Sequence, residues 1–404
     1  MSFDMEILRK SADHVYDYAV AFRRSLHMHP ELSEREENTA AAICAELDAM
    51  GIEYESGIGG HGISAVIYDQ NPYHGVGIRA DMDALPIEEK TDVSFKSLNL
   101  GVMHACGHDI HTAILLGTAK VLSSIKEQLP GSVRLFFQPS EETIGGAKQM
   151  IDAGCLKTPQ IHSVIGLHVD TGIDAGSVEF IPGSMNAAST EFYVTVKGKS
   201  CHGAHPTDGI DALIPACAMV TGIQSVITRQ TDPAEAVLIT VGKFASGTKE
   251  NIISGEAKFS GIIRFLQMHN MEPVKARLEA LCQATAMAYG ATCQVRFVDS
   301  YPSLENDDTL LEWVLESSKA ALGPEKVFIR KKPSLGADDF SYFCHLSRGI
   351  YYNIGARHPG DADAHPIHSD LFNPGEECIR TGILTETAAV IKILEEERRQ
   401  WQNY

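Results

Sequence analysis

Apolar positions recur first at helical spacing and then in short unbroken runs. In residues 5–50 they fall three and four apart on either side of a bend at "HMHPELS". This predicts two helices, the second starting near Ser33 and stopping at Gly51. Two extended runs follow, "GISAVIYD" and "GVGIRADMDAL", separated by the turn-forming "QNPYH". Next come a helix, "HTAILLGTAKVLSSIKEQL", a short apolar strand, "SVRLFFQ", a second helix, "GAKQMIDAG", and a further strand, "SVIGLHVD". Apolar strands alternating with helices predict an α/β fold with a mostly parallel sheet.

The rhythm changes near residue 187. "STEFYVTVKG" alternates as a half-buried strand, and "GIDALIPACAMVTGIQSVITR" has helical spacing. Two strands, "AVLITVGKFAS" and "EAKFSGIIRFL", then a helix, "MEPVKARLEALCQATAMAYG", and a strand, "TCQVRFVDS", complete a β-α-β-β-α-β order. That order suggests a small sheet with helices on one face. From about residue 301 the earlier alternation resumes. The simplest organisation is a discontinuous domain, residues 1–186 and 301–404, into which a second domain, residues 187–300, is inserted.

Composition narrows the function. The chain has 404 residues, enough for two or three domains with a well-buried core. No apolar run reaches the roughly 18 residues of a membrane helix. The first residues mix charge and apolar groups without a signal-peptide core, so the expectation is a cytoplasmic protein that does not engage a membrane. Nine scattered cysteines, an odd number without framework spacing, agree with reduced thiols. A net charge of −19 argues against nucleic acid as a partner, because backbone phosphates would be repelled. A small acidic substrate stays possible, since one local arginine can override a remote field.

Candidate chemistry begins at "GVMHACGHDIHTA", residues 101–113, where His104, Cys106, His108 and His111 crowd together. Glycine between Cys106 and His108 permits a tight turn that could bring thiolate and imidazole to one ion. A buried thiol beside a surface histidine would look the same. "FFQPSEET" puts Glu141 and Glu142 at a strand end, where α/β proteins place their sites. One of these carboxylates can bind a metal while its neighbour moves a proton, although a lone Glu-Glu pair is usually just an acidic turn. His168 closes the strand "VIGLHVD", and His368 lies in the loop "HPIHSDLFNPG". A lone histidine of either kind is more often a satisfied core or surface residue. Asp81 and Asp83, two apart in "RADMDAL", could face the same side or form an ordinary turn or helix cap.

The recurrence of donors at successive strand ends changes the balance. Cys106, His108, Glu142, His168 and His368 make five ligands, more than one closed tetrahedral site uses. Two ions sharing the thiolate would use all five and leave Glu141 as a base, an arrangement suited to amide hydrolysis. Two rivals remain: Cys106 as nucleophile with His108 or His111 as base, and a metal-stabilised binding protein without turnover.

"RRSLHMHPELS", "RADMDALPIEE", "MHACGHDIHTA", "QPSEE", "LHV", "GADDFSYF" and "HSDLFN" occur in this order over nearly the whole chain. The series resembles the di-metal superfamily of aminoacylases and metallo-carboxypeptidases. Within it, the chain is most similar to the cysteine-containing branch of hippurate hydrolases and hydrolases of indole-acetyl amino-acid conjugates. The resemblance implies an N-acyl-amino-acid amidohydrolase, with a metallo-dipeptidase or carboxypeptidase as the alternative. It implies two divalent ions (zinc, manganese, nickel or cobalt) on Cys106, His108, Glu142, His168 and His368, with Glu141 as general base. In this branch a cysteine replaces the metal-bridging aspartate, and Asp81 stands where the wider superfamily has a histidine ligand. Asp83 matches the aspartate that orients a ligand from behind. The inserted domain is implied to be a lid that often dimerises, giving a homodimer or homotetramer. Its "GKSCHGAHPTDGIDAL" matches the segment whose His202 steadies the oxyanion. "GTKENIISGEAKFSGIIR" matches the segment whose Asn251 and Arg264 bind the substrate's free carboxylate.

Overall fold

The strands Gly62–Ile67, Gly75–Asp81 and Ser132–Gln138 are buried at every position. Strands apolar on both faces need cover on both sides, and helices pack against the sheet they form. The computed structural model describes residues 4–67, 75–157 and 159–402. The turn expected at residues 70–74, with the last two residues of "GISAVIYD", lies outside the described residues.

The chain divides into two compact units. The first comprises residues 1–183, 305–332 and 339–404, and the second residues 184–304 and 333–338. In the first unit, eight strands form one sheet in the order Glu53–Ile58, Gly62–Ile67, Ser132–Gln138, Gly75–Asp81, Ile161–Asp174, Arg348–Arg357, Val178–Phe180, Val327–Ile329. The central pairings, from Ser132–Gln138 across to Arg348–Arg357, are parallel. Antiparallel pairings enter toward both edges. The sheet is therefore mostly parallel at its centre, as expected. The helices Met5–Met28, His108–Ser124 and Glu377–Gln402 pack on one another, and their apolar faces join the strands in one continuous core.

Three helix starts differ from the sequence reading, two of them away from the strand ends. The second helix begins at Glu37 rather than near Ser33, because Leu32 forms a bridge to Ala84 and Glu34 takes a φ of 66°. The helix expected from residue 209 begins at Leu213 and breaks after Gly222, resuming over Gln224–Gln230. Ile210 is held in a bridge to Lys199, and glycine weakens a helix interior.

The second unit is a four-stranded antiparallel sheet in the order Val237–Ser246, Glu256–Phe265, Ala188–Lys197, Thr292–Asp299. Phe192, Val194 and Val196 point into a separate core with Met219, Leu278 and Cys282 of the helices, while Glu191 and Tyr193 alternate outward. Among the described residues, no helix is long and apolar enough to cross a membrane.

One buried acid outside any site shapes stability. Glu386, in the helix Glu377–Gln402, is 1% exposed and accepts a hydrogen bond from Thr118 Oγ1 at 2.9 Å, with Tyr352 nearby. Burial pushes its carboxyl up to about 8 from an ordinary 4.5. The unfolded chain loses this proton near pH 4.5 and the folded chain keeps it to about 8, so stability falls as pH rises between those values. Glu386→Gln should therefore be more stable than the parent at pH 8, by up to about 4–5 kcal/mol for the whole shift, and melt at a higher temperature. The gap should close toward pH 5. Parallel melting curves for the two proteins across this range would remove the effect.

Candidate metal centre

The strand Gly75–Asp81 lies between Ser132–Gln138 and Ile161–Asp174 and runs parallel to both. The chain leaves the first of these strands toward one edge of the sheet and leaves Ile161–Asp174 toward the other. Their shared C-terminal end is thus a topological switch point, where open α/β sheets bind ligands. Asp81, the Gln138–Glu142 segment and His168 all arrive there.

Gly107 carries the chain into the helix His108–Ser124. Its φ is 94°, and a Cβ at this position would lie 2.4 Å from Val169 Cγ2, so only glycine fits. This turn sets Cys106 and His108 side by side and starts the helix at His108, three residues before the start expected from "HTAILLG". The start was hidden because no serine, threonine or acid precedes it as a cap.

Two groups of donors meet at the Cys106 thiol. One donor atom each from Cys106, His108 and His168 lie within 4.8 Å of one another, and so do donor atoms of Cys106, Glu142 and His368. The Sγ of Cys106 is 3.4 Å from His168 Nε2, and His368 Nε2 is 3.1 Å from Glu142 Oε1. Despite that approach, Glu142 Oε1 has no partner in hydrogen-bonding geometry. A carboxylate oxygen of Glu141 lies within 4.8 Å of donor atoms of His108 and Glu142. Cys106, His108 and Glu141 are buried, Glu142 is partly buried, and His368 is exposed, so the cluster opens on the His368 side.

Each donor is held from behind. Asp83, fully buried, accepts from His108 Nδ1 at 3.2 Å, from the backbone N–H groups of Glu141 and Glu142 at 3.1 Å each, and from Ser33 Oγ at 2.7 Å. With Nδ1 committed to Asp83, His108 turns Nε2 inward, and that buried nitrogen has no hydrogen-bond partner. One carboxylate therefore sets the tautomer of a histidine and the backbone of the Glu-Glu pair together. His168 Nδ1 donates to the carbonyl of Val169 at 2.8 Å, leaving Nε2 toward the thiol. Ser140 and His368 adopt positive φ values of 58° and 64°. Such backbone is held only where neighbours over-determine it. Here Glu36 accepts from Ser140 N–H at 2.8 Å, and the His368 N–H donates to Ala105 at 2.7 Å.

The surroundings of His108 favour positive charge. Burial alone would lower the pKa of His108, but Asp81, Cys106 and the bond to Asp83 outweigh it and hold the ring well above its ordinary value. Burial pushes the Cys106 thiol up, opposed by His108. His111 behaves differently, pushed down to about 4 mainly by burial. The residues fit a pair of divalent ions. Three imidazoles, a thiol and a carboxylate suit zinc-like metals. Two orphaned buried atoms, His108 Nε2 and Glu142 Oε1, lack a partner that an ion would supply.

The remaining candidates lie in the second unit. His202 and Asn251 come together because the short strands Cys201–His202 and Ile252–Ile253 pair, and Gly203 N–H donates to the Asn251 carbonyl at 2.8 Å. Arg264 sits on Glu256–Phe265, opposite Ser189 and Leu238. It is half-buried, burial lowers its pKa, and among the described residues it has no ion-pair partner. A half-buried unpaired guanidinium is a natural seat for a carboxylate.

Sequence reasoning left several supports unread. Arg79 Nη1 lies 2.6 Å from Asp81, and Arg79 also bonds Gln138 and Asp339 at 2.7 Å each, all buried. Asp109, beside His108, is held by Arg23 Nε at 2.7 Å and His27 Nδ1 at 2.8 Å. The available signal was the quoted segments themselves: "RADMDAL", "QPSEE", "GADDFSYF", "RRSLHMHPELS" and "MHACGHDIHTA" carry these residues, but spacing alone could not pair them.

Residues 77–392 match the model described as Peptidase family M20/M25/M40. Thermostable carboxypeptidase 1 of Saccharolobus solfataricus is 35% identical over 392 residues, 96% of this chain and 98% of that protein. The N-acyl-L-amino acid amidohydrolase of Geobacillus stearothermophilus is 38% identical over 75% of this chain and 82% of its own. Among solved structures, a dinuclear metal-binding peptidase of the M20 family from Bacillus subtilis superposes with a TM-score of 0.83 at 28% identity, covering 95% of this chain and 99% of that one.

Proposed function

The chain belongs to peptidase family M20/M25/M40, and from that premise we propose that it hydrolyses N-acyl amino acids to a carboxylic acid and a free amino acid. The observation that carries the reading is the pair of donor groups sharing the buried Cys106 thiol, with the Glu141 carboxylate beside them. Cys106, His108 and His168 would hold one divalent ion, and Cys106, Glu142 and His368 the other. Bound there, such ions polarise a carbonyl and lower the pKa of water.

The chain's own residues supply the rest. Glu141 takes the proton of the attacking water and returns it to the leaving amine. Asp83 holds His108 through Nδ1, so that Nε2 is the nitrogen offered to an ion, and keeps the Glu141 and Glu142 backbone in place. Arg264 and Asn251 take the substrate's free carboxylate, and His202 supports the oxyanion. Zinc, cobalt and nickel suit the thiolate and imidazoles, and manganese the carboxylate. Nine free thiols support a reducing, cytoplasmic setting. Exposed Leu238 and Phe244 on an edge strand of the second unit support a homodimer or homotetramer.

A carboxypeptidase reading is favoured by the relative named for that activity, which spans almost the whole chain. Both substrates present an amide next to a terminal amino acid with a free carboxylate. The test is release of free amino acid from separate N-acetyl, N-benzoyl and N-indoleacetyl amino acids and from dipeptides, with metal-loaded and metal-stripped protein. Metal-dependent release from the acyl arms alone is the expected result. Release from peptides alone would replace the acylase reading with the carboxypeptidase one. Release that survives complete stripping would overturn both in favour of the thiol.

A further inference from the structure

His111 is the fourth member of the run that starts at His104, and its atoms lie within 4.8 Å of Asp81 and His108 donors. It nevertheless has no nitrogen to spare. Nδ1 lies 2.6 Å from Asp81 Oδ1, and Nε2 receives the backbone N–H of Val169 at 3.0 Å. A backbone N–H can only donate and a carboxylate can only accept, so Nδ1 carries the proton and Nε2 is bare and occupied.

The place of that second bond matters. The ladder between Gly75–Asp81 and Ile161–Asp174 ends at the pair Arg79–Gly166. Beyond it Val169 has no partner in Gly75–Asp81, though it still pairs with Ile354 on its other side, and its N–H donates to the His111 ring. That N–H belongs to the peptide directly after His168, and the Val169 carbonyl accepts from His168 Nδ1 at 2.8 Å. The two rings also meet edge to face, with centroids 4.7 Å apart at 67°. His111 thus borders His168 through its ring and its backbone together. Asp81 is itself immobilised, since Arg79 bonds its other oxygen and is anchored on Gln138 and Asp339.

We propose that His111, clamped by Asp81, is a positioning residue for His168 and so governs the affinity of one ion position only, that of Cys106, His108 and His168. The inference rests on the two-ion reading above. It assigns Asp81 the work of holding His111, which stays outside the ligand set.

The test uses the full-length protein stripped of metal and titrated with cobalt(II). Thiolate-to-cobalt and d–d absorption are followed, and ions per chain are counted after gel filtration. His111→Phe keeps a ring but removes both hydrogen bonds. His111→Asn can still reach Asp81 but leaves the Val169 N–H unmet. In each, one cobalt should bind about 10–100-fold more weakly, the range seen when a ligand's outer partner is lost, while the other binds as in the parent. A folded variant that keeps both affinities overturns the inference. So does equal weakening of both, which is what a merely structural role predicts. Should both variants fail to fold, nitrogen NMR of histidine-labelled parent protein decides. His111 should show a protonated Nδ1 and a bare Nε2 before and after metal is added, and a ligation shift at either nitrogen would exclude the role. A parent protein that binds fewer than two ions would refute the two-ion reading itself, before any variant is made.

Discussion

Glu141→Gln is expected to keep the fold and both ions while losing about 10²–10⁴-fold in kcat, the range general acid–base catalysis contributes. The substitution is nearly isosteric. The backbone N–H that Glu141 gives to Asp83 at 3.1 Å does not depend on its side chain. Neither donor group at Cys106 needs the Glu141 carboxylate, because Glu142 supplies the acid of its group. What the amide cannot do is take a proton from water and hand it to the departing amine. Both kcat and kcat/KM should fall together, since the lost interaction exists only in the transition state. Metal content by elemental analysis and the melting temperature should match the parent. A rate within tenfold of the parent would remove Glu141 from its role.

The second large effect is at Cys106. Its Sγ belongs to both donor groups, so on the proposed two-ion reading Cys106→Ala removes a ligand from each ion at once. Both affinities should fall by more than the about 10–100-fold that loss of an outer partner costs, and turnover should vanish with them. Cys106→Asp separates this reading from a nucleophilic thiol. A carboxylate can bridge two ions, so Cys106→Asp should regain metal and a measurable part of the activity. If Cys106 attacked the substrate, Cys106→Asp would be as dead as Cys106→Ala whatever metal it held. Equilibrium dialysis of both variants, with turnover measured on the same samples, distinguishes the two. Activity in Cys106→Ala at unchanged metal content would defeat the bridging role outright.

Much of the first unit could be read along the chain. The buried strands and their intervening helices announced themselves because burial on both faces leaves an unbroken apolar run, as in Ser132–Gln138. The four-stranded sheet of the second unit was equally plain, since one buried face makes residues alternate, as from Glu191 to Val196. Helix starts were harder. The turn at Gly107 depends on the approach of Val169, more than sixty positions away, and no local cap marks it.

The donors were visible as residue types, because a thiol, an imidazole or a carboxylate carries its chemistry wherever it stands. Their grouping was not. Glu142 and His368 lie 3.1 Å apart only because distant loops meet at one end of the sheet. Of the histidines in the run at residues 104–111, the sequence marked all three as candidates. Folding separates them by what each nitrogen touches: His108 turns an unpartnered Nε2 inward, His111 has both nitrogens engaged, and His104 is buried. Which atoms could bind a metal was therefore written in the residues themselves. Which of them are left free to do so was decided by Asp83, Asp81 and the Val169 backbone, because a histidine's tautomer and aim are set by its hydrogen-bond partners, and only the tertiary structure brings those partners to it.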